Sequence, residues 1–305
     1  MTRWVVYQRE RFPLAAHAPL VAAFSASAVC FSSLLRGRIA FPSFAALLVA
    51  FLTSLLFFLQ LRIADEFKDR EVDARYRPYR PVPRGLVSLR ELGWIGAGAA
   101  AIQAVLAMAF DPSMLAILAV AWIYLALMTR EFFVGAWLRR RPVMHAASHM
   151  LILPLVDLYA TACDWWRTGQ GAPRGLFWFL AVSYLNGLVI EIGRKTRVAA
   201  DEEHGVETYS ALWGTAGAAR AWLLSVAATA FAAWQAAGRI GTAAPMMALL
   251  AVLTVACAIT ANAFVKSDAR GGGSRLELMS AVWTIGMYLG LGAAPLAVFV
   301  WRSRL

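Results

Sequence analysis

Acidic residues recur at every fourth position directly after a long apolar segment. Asp65, Asp69 and Asp73 keep this spacing, and Glu66 lies beside the first of them. Because an α-helix has 3.6 residues per turn, the three carboxylates are predicted to lie on one helix face. Like charges at this spacing destabilise a helix, so helix stability does not explain them. A divalent cation bound between the carboxylates would remove the repulsion.

The donor types of this acidic run indicate magnesium bound together with a phosphate compound. Carboxylate oxygens without neighbouring Cys or clustered His suit a hard cation such as Mg2+. Mg2+ is usually held by one or two carboxylates plus substrate phosphates, so a diphosphate is the expected third partner. The alternative is a solvated face on which bases such as Lys68 and Arg70 pair with the acids. The run follows the apolar segment 51–61, and ionisable residues at the mouth of a membrane helix are functional candidates.

The chain as a whole is too apolar for a soluble domain. Of its 305 residues, 60% are hydrophobic and 15% are charged, whereas roughly a quarter of the residues in soluble domains are charged. Repeated apolar stretches of about 18 or more residues predict an all-α, polytopic membrane protein that forms a single transmembrane domain over residues 1–305. The nine predicted spans lie near residues 15–35, 39–62, 89–109, 112–129, 145–163, 175–193, 211–236, 243–265 and 277–300.

The net charge of +11 reports membrane topology and not nucleic-acid binding. With nine spans and a cytoplasmic N-terminus, most Lys and Arg residues fall in cytoplasmic segments, as the positive-inside rule requires. This arrangement predicts an integral protein of the inner or plasma membrane. It also places the acidic run, and therefore the active site, on the cytoplasmic side.

The acidic run is followed by a loop rich in proline and arginine. Pro78, Pro81 and Pro83 end any helix and impose an extended backbone. Arg77 and Arg80 offer guanidinium groups, whose planar donors match phosphate oxygens. The same arginines also fit the positive-inside distribution, and the sequence leaves both interpretations open.

The run and the loop together resemble the first signature of the UbiA superfamily of intramembrane prenyltransferases. The family pattern is Asn-Asp-x-x-Asp-x-x-x-Asp followed by a Pro-Tyr-Arg-Pro-Ile-Pro-Ser-Gly-like loop. In this chain the pattern reads Asp65-Glu66-x-x-Asp69-x-x-x-Asp73 and then Pro78-Tyr79-Arg80-Pro81-Val82-Pro83-Arg84-Gly85. Asp65 and Glu66 depart from the usual Asn and Asp, but both keep oxygen ligands. The resemblance implies a UbiA-like bundle of about nine helices around a central cavity.

The resemblance also implies a second acidic motif after the sixth span. Asp201 fits the later Asp of the family's Asp-x-x-x-Asp set, but Arg197 occupies the place of the earlier one. Glu191, near the membrane mouth, is the candidate that replaces it. The implied catalytic residues and metal ligands are therefore Asp65, Glu66, Asp69, Asp73, Glu191 and Asp201. The candidate diphosphate contacts are Arg77, Arg80, Arg130, Arg194 and Lys195.

The activity implied by the resemblance is Mg2+-dependent transfer of an isoprenyl group from a prenyl diphosphate to an aromatic or other lipophilic acceptor within the lipid bilayer. The C–O bond of the donor ionises, and Mg2+ stabilises the diphosphate that leaves. Intramolecular capture of the same cation would make the protein a terpene cyclase. A polar acceptor or a phosphoribosyl donor is a further enzymatic alternative.

A membrane carrier or ion-coupled transporter is the alternative from another class, although no inverted repeat is apparent. The sequence does not predict the prenyl chain length, the acceptor or the oligomeric state.

Two further polar features lie in apolar surroundings. His145 and His149 are four residues apart and fit one helix face, but no third ligand is obvious nearby, so no metal site is predicted there. Asp157 lies in the middle of a predicted span. A carboxylate there is costly unless it is paired, so we expect it to face the interior of the bundle.

Overall fold

The structure is a computed structural model that describes residues 2–266 and 270–304. These residues form helices joined by turns and short loops, and none of them lies in a β-strand. In chain order the α-helices are α1 (Arg3–Arg11), α2 (Leu14–Leu35), α3 (Phe44–Lys68), α4 (Arg70–Tyr76), α5 (Leu89–Phe110), α6 (Met114–Thr129), α7 (Gly135–Arg139), α8 (Pro142–Met150), α9 (Ile152–Trp165), α10 (Leu176–Arg194), α11 (Tyr209–Arg239), α12 (Ala243–Val265), α13 (Gly272–Leu291) and α14 (Ala293–Arg302).

Within the described ranges, eight helical segments are long and apolar enough to cross a membrane. They are α2, α3, α5, α8 with α9, α10, α11, α12, and α13 with α14. The fourth predicted span corresponds to α6, which is apolar but has only 16 residues, fewer than the roughly 20 of a typical membrane helix. The prediction of an all-α, polytopic membrane protein is confirmed, with eight long apolar helices and the shorter α6 in the described residues.

The bundle has an apolar interior and an apolar outside. Trp222, Trp283 and Phe179 are fully buried where α10, α11 and α13 pack together. Leu224 and Val252 are exposed on the outside of α11 and α12. Large exposed apolar surfaces of this kind mark contact with a membrane.

The acidic run lies where α3 bends into α4. Asp69 connects the two helices, and its backbone N–H donates to the carbonyl of Asp65 at 2.8 Å. The N–H of Asp73 donates to the carbonyl of Asp69 at the same distance. Because helical hydrogen bonds continue across the bend, the three aspartates still follow one another at one-turn intervals.

The short helix α1 packs against the same end of α3. Tyr7 of α1 is buried in a small apolar cluster with Ile63, Val87 and Leu92. We call this end of the bundle the motif end, because it carries the acidic run 65–73 and the C-terminal part of α10. The contact places the basic N-terminal segment beside the acidic run.

Candidate active site

The acidic run places the carboxylates of Asp65, Asp69 and Asp73 close to one another. The side chain of Asp65 accepts a hydrogen bond of 3.4 Å from Arg62. The pKa of Asp69 is raised, chiefly because the side chain is buried, while the Lys68 ammonium lowers it and the carboxylates of Asp65 and Asp73 raise it further. A cation bound beside such a carboxylate would stabilise its charged form.

Asp73 is held by the two arginines of the proline-rich loop. Its carboxylate is buried, and Arg80 donates a hydrogen bond of 2.6 Å to Oδ2. A guanidinium nitrogen of Arg77 lies 3.6 Å from Oδ1. That oxygen has no hydrogen-bond partner in the part of the chain that the structure describes. Two predicted diphosphate contacts therefore neutralise a predicted metal ligand.

The proline-rich loop is tied to the connection between α10 and α11. Glu203 in this connection accepts a hydrogen bond of 3.1 Å from Arg77 and another of 3.1 Å from the hydroxyl of Tyr79. The two segments enclose a cavity of about 330 Å³. Its walls are formed by Arg77, Arg80, Arg197, Asp201, Glu203, Val206 and Thr208. The predicted first and second motifs thus meet at one polar cavity.

The second acidic group begins with Glu191 at the end of α10. This carboxylate is buried and lies 2.8 Å from the guanidinium of Arg194 and 2.7 Å from the ammonium of Lys195. Arg194 interacts electrostatically with Asp65, and Lys195 with Asp69. One acid, Glu191, and two bases, Arg194 and Lys195, therefore face the acidic run from the end of α10.

Asp201 lies further out, in the connection between α10 and α11. Its Oδ2 accepts a hydrogen bond of 2.7 Å from the backbone N–H of Gly271, which joins this connection to the turn before α13. Asp201 also lines the cavity with Arg77 and Arg80. Of the two candidates for the second motif, Glu191 contacts the bases that interact with the acidic run. Asp201 instead lies at the cavity lined by Arg77 and Arg80.

Two predicted site residues lie apart from these groups. Glu66 is buried on another side of α3 and forms an ion pair with Arg11 of α1. Arg130 is exposed at the end of α6, and no hydrogen bond or ion pair among the described residues joins it to the acids. The roles of Glu66 as a metal ligand and of Arg130 as a diphosphate contact stay predictions.

The donors that the structure brings together fit Mg2+. Asp65, Asp69 and Asp73 offer only carboxylate oxygens on successive turns, and Oδ1 of Asp73 lacks a hydrogen-bond partner within residues 2–266 and 270–304. Oxygen donors of this kind are the ligands that Mg2+ prefers. Arg77, Arg80, Arg194 and Lys195, the predicted diphosphate contacts, lie beside these acids.

Sequence reasoning missed two partners at the motif end. Arg11 pairs with Glu66 across 55 positions of the chain, and Glu203 ties down the loop from 124 to 126 positions away. The signal for Arg11 was the basic character of the N-terminal segment. Charge complementarity alone does not select which acid it meets.

The fold and the site together define a class of protein. It is a bundle of apolar helices that gathers two acidic groups and an arginine-rich loop at one end. The model of the UbiA prenyltransferase family matches residues 25–280, and the chain belongs to this family. It is an intramembrane prenyltransferase.

Solved structures share the fold. The apo structure of a UbiA homologue from Aeropyrum pernix K1 has a TM-score of 0.67 and 15% sequence identity, over 95% of this chain and 98% of the other. A digeranylgeranylglyceryl phosphate synthase structure has a TM-score of 0.59 and 14% identity, over 99% of this chain and all of the other. At these identities the likeness concerns the fold. Comparison with curated protein sequences gives no match.

Proposed function

We propose that this protein catalyses the Mg2+-dependent transfer of an isoprenyl group from a prenyl diphosphate to an aromatic or other lipophilic acceptor. The observation that carries the proposal is the opposition of Asp65 and Asp69 to Arg194 and Lys195 at the motif end. One face offers oxygen ligands for a cation, and the other offers cations for an anion. A magnesium diphosphate has the complementary charges.

The ion pairs at the motif end are of a kind that this ligand can replace. Asp73 is paired with Arg77 and Arg80, and Glu191 is paired with Arg194 and Lys195. Without ligand, each buried acid is neutralised by neighbouring bases, which limits the cost of its burial. A bound magnesium diphosphate would offer its metal to these acids and its phosphate oxygens to these bases, in place of the present ion pairs.

Each group has a separate role in this proposal. The metal ligands are Asp65, Asp69, Asp73 and Glu191, with Asp201 available if it gives up its bond to Gly271. When bound, Mg2+ neutralises the charge that develops on the diphosphate leaving group. Arg77 and Arg80 hold the phosphate oxygens in a fixed orientation, because guanidinium donors match phosphate geometry.

Two further predicted residues, Glu66 and Arg130, would join the site only after a local change in structure. Glu66 becomes available as a ligand only when its ion pair with Arg11 opens. Arg130 joins the site only if the connection after α6 moves toward it. The acidic run and Glu191 are therefore the core of the proposed site.

The active site is proposed to face the cytoplasm. The basic helix α1 lies at the motif end, where Arg11 pairs with Glu66. Lys and Arg residues accumulate in cytoplasmic segments of membrane proteins. The apolar part of the donor and the acceptor would then enter from the bilayer, while the diphosphate binds at the cytoplasmic end.

The proposal is tested with purified protein in detergent. Geranyl, farnesyl and geranylgeranyl diphosphate are offered with Mg2+, with and without a pool of aromatic acceptors. Diphosphate release and the organic products are measured together. We expect Mg2+-dependent release and a prenylated acceptor. Release without an acceptor, accompanied by a cyclised hydrocarbon or alcohol, would replace transfer by terpene cyclisation. Absence of release from every donor would contradict the proposal.

A further inference from the structure

Glu131, His145 and His149 form a compact cluster beside the motif end. One ligand atom from each of the three residues lies within 4.8 Å of the other two. The histidines belong to α8, and the glutamate belongs to the short turn that follows α6. The acidic run, Glu191 and Asp201 contribute no atom to the cluster.

His149 presents a free ring nitrogen to this cluster. Its Nδ1 lies 2.9 Å from the backbone carbonyl of His145. A carbonyl only accepts hydrogen bonds, so Nδ1 carries the proton and Nε2 carries a lone pair. Nε2 has no hydrogen-bond partner among the described residues, although the residue is only 6% exposed. A buried acceptor without a partner is costly, and a metal ion would satisfy it.

His145 and Glu131 complete the donor set. The ring of His145 stacks on that of His149 with 3.9 Å between centroids, and its Nε2 lies 3.9 Å from Oε1 of Glu131. The other carboxylate oxygen, Oε2, is buried without a hydrogen-bond partner in the described ranges. The nearest cation to Oε2 is the mostly exposed guanidinium of Arg139, 3.6 Å away.

An unusual turn brings Glu131 to the histidines. Glu131, Phe132 and Phe133 all have positive φ angles, of 47°, 54° and 60°. Side chains with a Cβ rarely adopt this left-handed region, because it brings Cβ close to the following carbonyl oxygen. The turn places the ring of Phe132 edge-on to His149 at 6.0 Å. Gly135 leaves the space for the carboxylate, since a Cβ there would lie 2.5 Å from Oε2 of Glu131.

We propose that Glu131, His145 and His149 bind one divalent transition-metal ion, with Zn2+ as the representative ion, at a site separate from that for the magnesium diphosphate. Two imidazoles and one carboxylate suit transition metals, whereas Mg2+ prefers oxygen donors. The hydrogen bond from Nδ1 of His149 to a backbone carbonyl is the outer contact that usually orients a metal-binding histidine. A fourth position is left for water or an exogenous ligand.

Binding of an ion requires one imidazole to turn out of the stack, because the two rings are only 17° from parallel and their in-plane lone pairs do not converge. Ligand atoms of a tetrahedral zinc ion are about 3.4 Å apart, given bonds of about 2.0–2.1 Å. The present separations of up to 4.8 Å therefore shorten by up to about 1.4 Å on binding. Glu131 and His145 are partly exposed, which gives the ion a route from solvent.

The surrounding charges bear on how tightly the ion binds. Lys68 and Lys195 contribute positive potential at both imidazoles, and Glu191 contributes negative potential. A diphosphate bound to Lys195 would reduce the positive potential. The charged residues of the proposed active site therefore influence the proposed metal site, although the two sites share no ligand.

The experiment measures metal binding to the full chain purified in detergent with a histidine-free affinity tag. Zn2+ binding is followed by equilibrium dialysis with elemental analysis in excess Mg2+, and Co2+ binding by its visible absorption. The variants are Glu131→Gln, His145→Gln and His149→Gln. His204→Gln is the matched control, because it removes an exposed histidine outside the cluster. Asp69→Asn tests whether the acidic run holds the ion instead.

We expect about one Zn2+ per chain, and each cluster variant should weaken binding by at least about tenfold. His204→Gln and Asp69→Asn should bind as the wild type does. Zn2+ should also raise the unfolding temperature of the wild type but not that of Glu131→Gln, whose shape is nearly unchanged. Absence of tight Zn2+ binding would overturn the proposal. Binding that survives all three cluster variants, or that is lost in Asp69→Asn, would overturn it as well.

Discussion

Arg80 donates a hydrogen bond of 2.6 Å to Asp73, seven residues before it in the chain. The bond holds the proline-rich loop against the acidic run, so that a proposed phosphate contact lies against a proposed metal ligand. Both groups are mostly buried. Asp73 is therefore paired with a base without any ligand, and in the proposed function a magnesium diphosphate would replace this internal partner.

Replacing Arg80 should weaken the binding of the prenyl diphosphate. A hydrogen bond to a charged group contributes about 1.5–3 kcal/mol, so Arg80→Gln should lower kcat/KM by roughly 10- to 100-fold, mainly through KM. Arg70→Gln is the control, since Arg70 is exposed on α4 and its nearest acid is Glu71. Steady-state kinetics with a fixed acceptor measure the effect. Equal losses in both variants would contradict a specific role for Arg80.

The second acidic group should depend on Glu191 more than on Asp201. Glu191 is buried beside Arg194 and Lys195, whereas one oxygen of Asp201 is engaged by the N–H of Gly271. We expect Glu191→Gln to reduce Mg2+-dependent turnover by at least about 100-fold, the scale of losing one group that stabilises developing charge. Asp201→Asn should retain more activity.

The Mg2+ concentration that gives half-maximal activity separates loss of metal binding from other effects. A larger shift in Asp201→Asn than in Glu191→Gln would assign the second metal ligand to the connection between α10 and α11.

The ion pair between Arg11 and Glu66 should stabilise the motif end. The Glu66 side chain is fully buried and Arg11 is nearly so. Removing one partner of a buried pair leaves an unpaired charge, so Arg11→Met should reduce the free energy of unfolding by about 3–5 kcal/mol. Arg3→Met, on the same helix, removes an exposed pair with Glu91 and should cost within about 1 kcal/mol.

Unfolding in detergent, followed by circular dichroism, gives both values. The double variant Arg11→Met with Glu66→Gln should recover part of the loss, because it removes the unpaired charge. A double variant less stable than Arg11→Met would show that Glu66 contributes through another contact.

Tyr288 should support the buried carboxyl of Asp157. The Tyr288 hydroxyl donates to Asp157 Oδ2 at 2.9 Å, and both side chains are buried between α9 and α13. Tyr288→Phe leaves this oxygen without its donor, which should cost about 1–3 kcal/mol of unfolding free energy. Tyr184→Phe is the control, because the partly buried Tyr184 hydroxyl makes no hydrogen bond in the described structure. Similar stability of the two variants would contradict this role.

The membrane architecture was predictable because apolar length alone specifies a membrane helix. Eight helices of the described chain have the required length, and α6 departs only by being shorter. The turn-by-turn order of Asp65, Asp69 and Asp73 also followed from their spacing, and the structure keeps it despite the bend at Asp69. Both features depend only on patterns within a short stretch of sequence: the length of an apolar segment and the four-residue spacing of the aspartates.

Contacts between distant parts of the chain were not predictable in the same way. Glu66 was grouped with the aspartates because it lies beside them and occupies the position of an Asp in the family motif, but adjacent residues on a helix point in different directions. Its partner Arg11 comes from a separate helix. Glu131 joins His145 only through three consecutive positive φ angles in 131–133, and none of those residues is a glycine that would mark such a turn.

The most direct measurement is Mg2+-dependent diphosphate release by the wild type, Asp69→Asn and Glu71→Gln, assayed with the same donor and acceptor. Asp69 lies between the carboxylates of Asp65 and Asp73, whereas Glu71 is two residues away and its side chain is 89% exposed. Asp69→Asn should lose release by at least about 100-fold, the scale of removing one charge-stabilising group, while Glu71→Gln retains it. Unchanged release in Asp69→Asn would contradict the proposal that the acidic run binds the magnesium diphosphate.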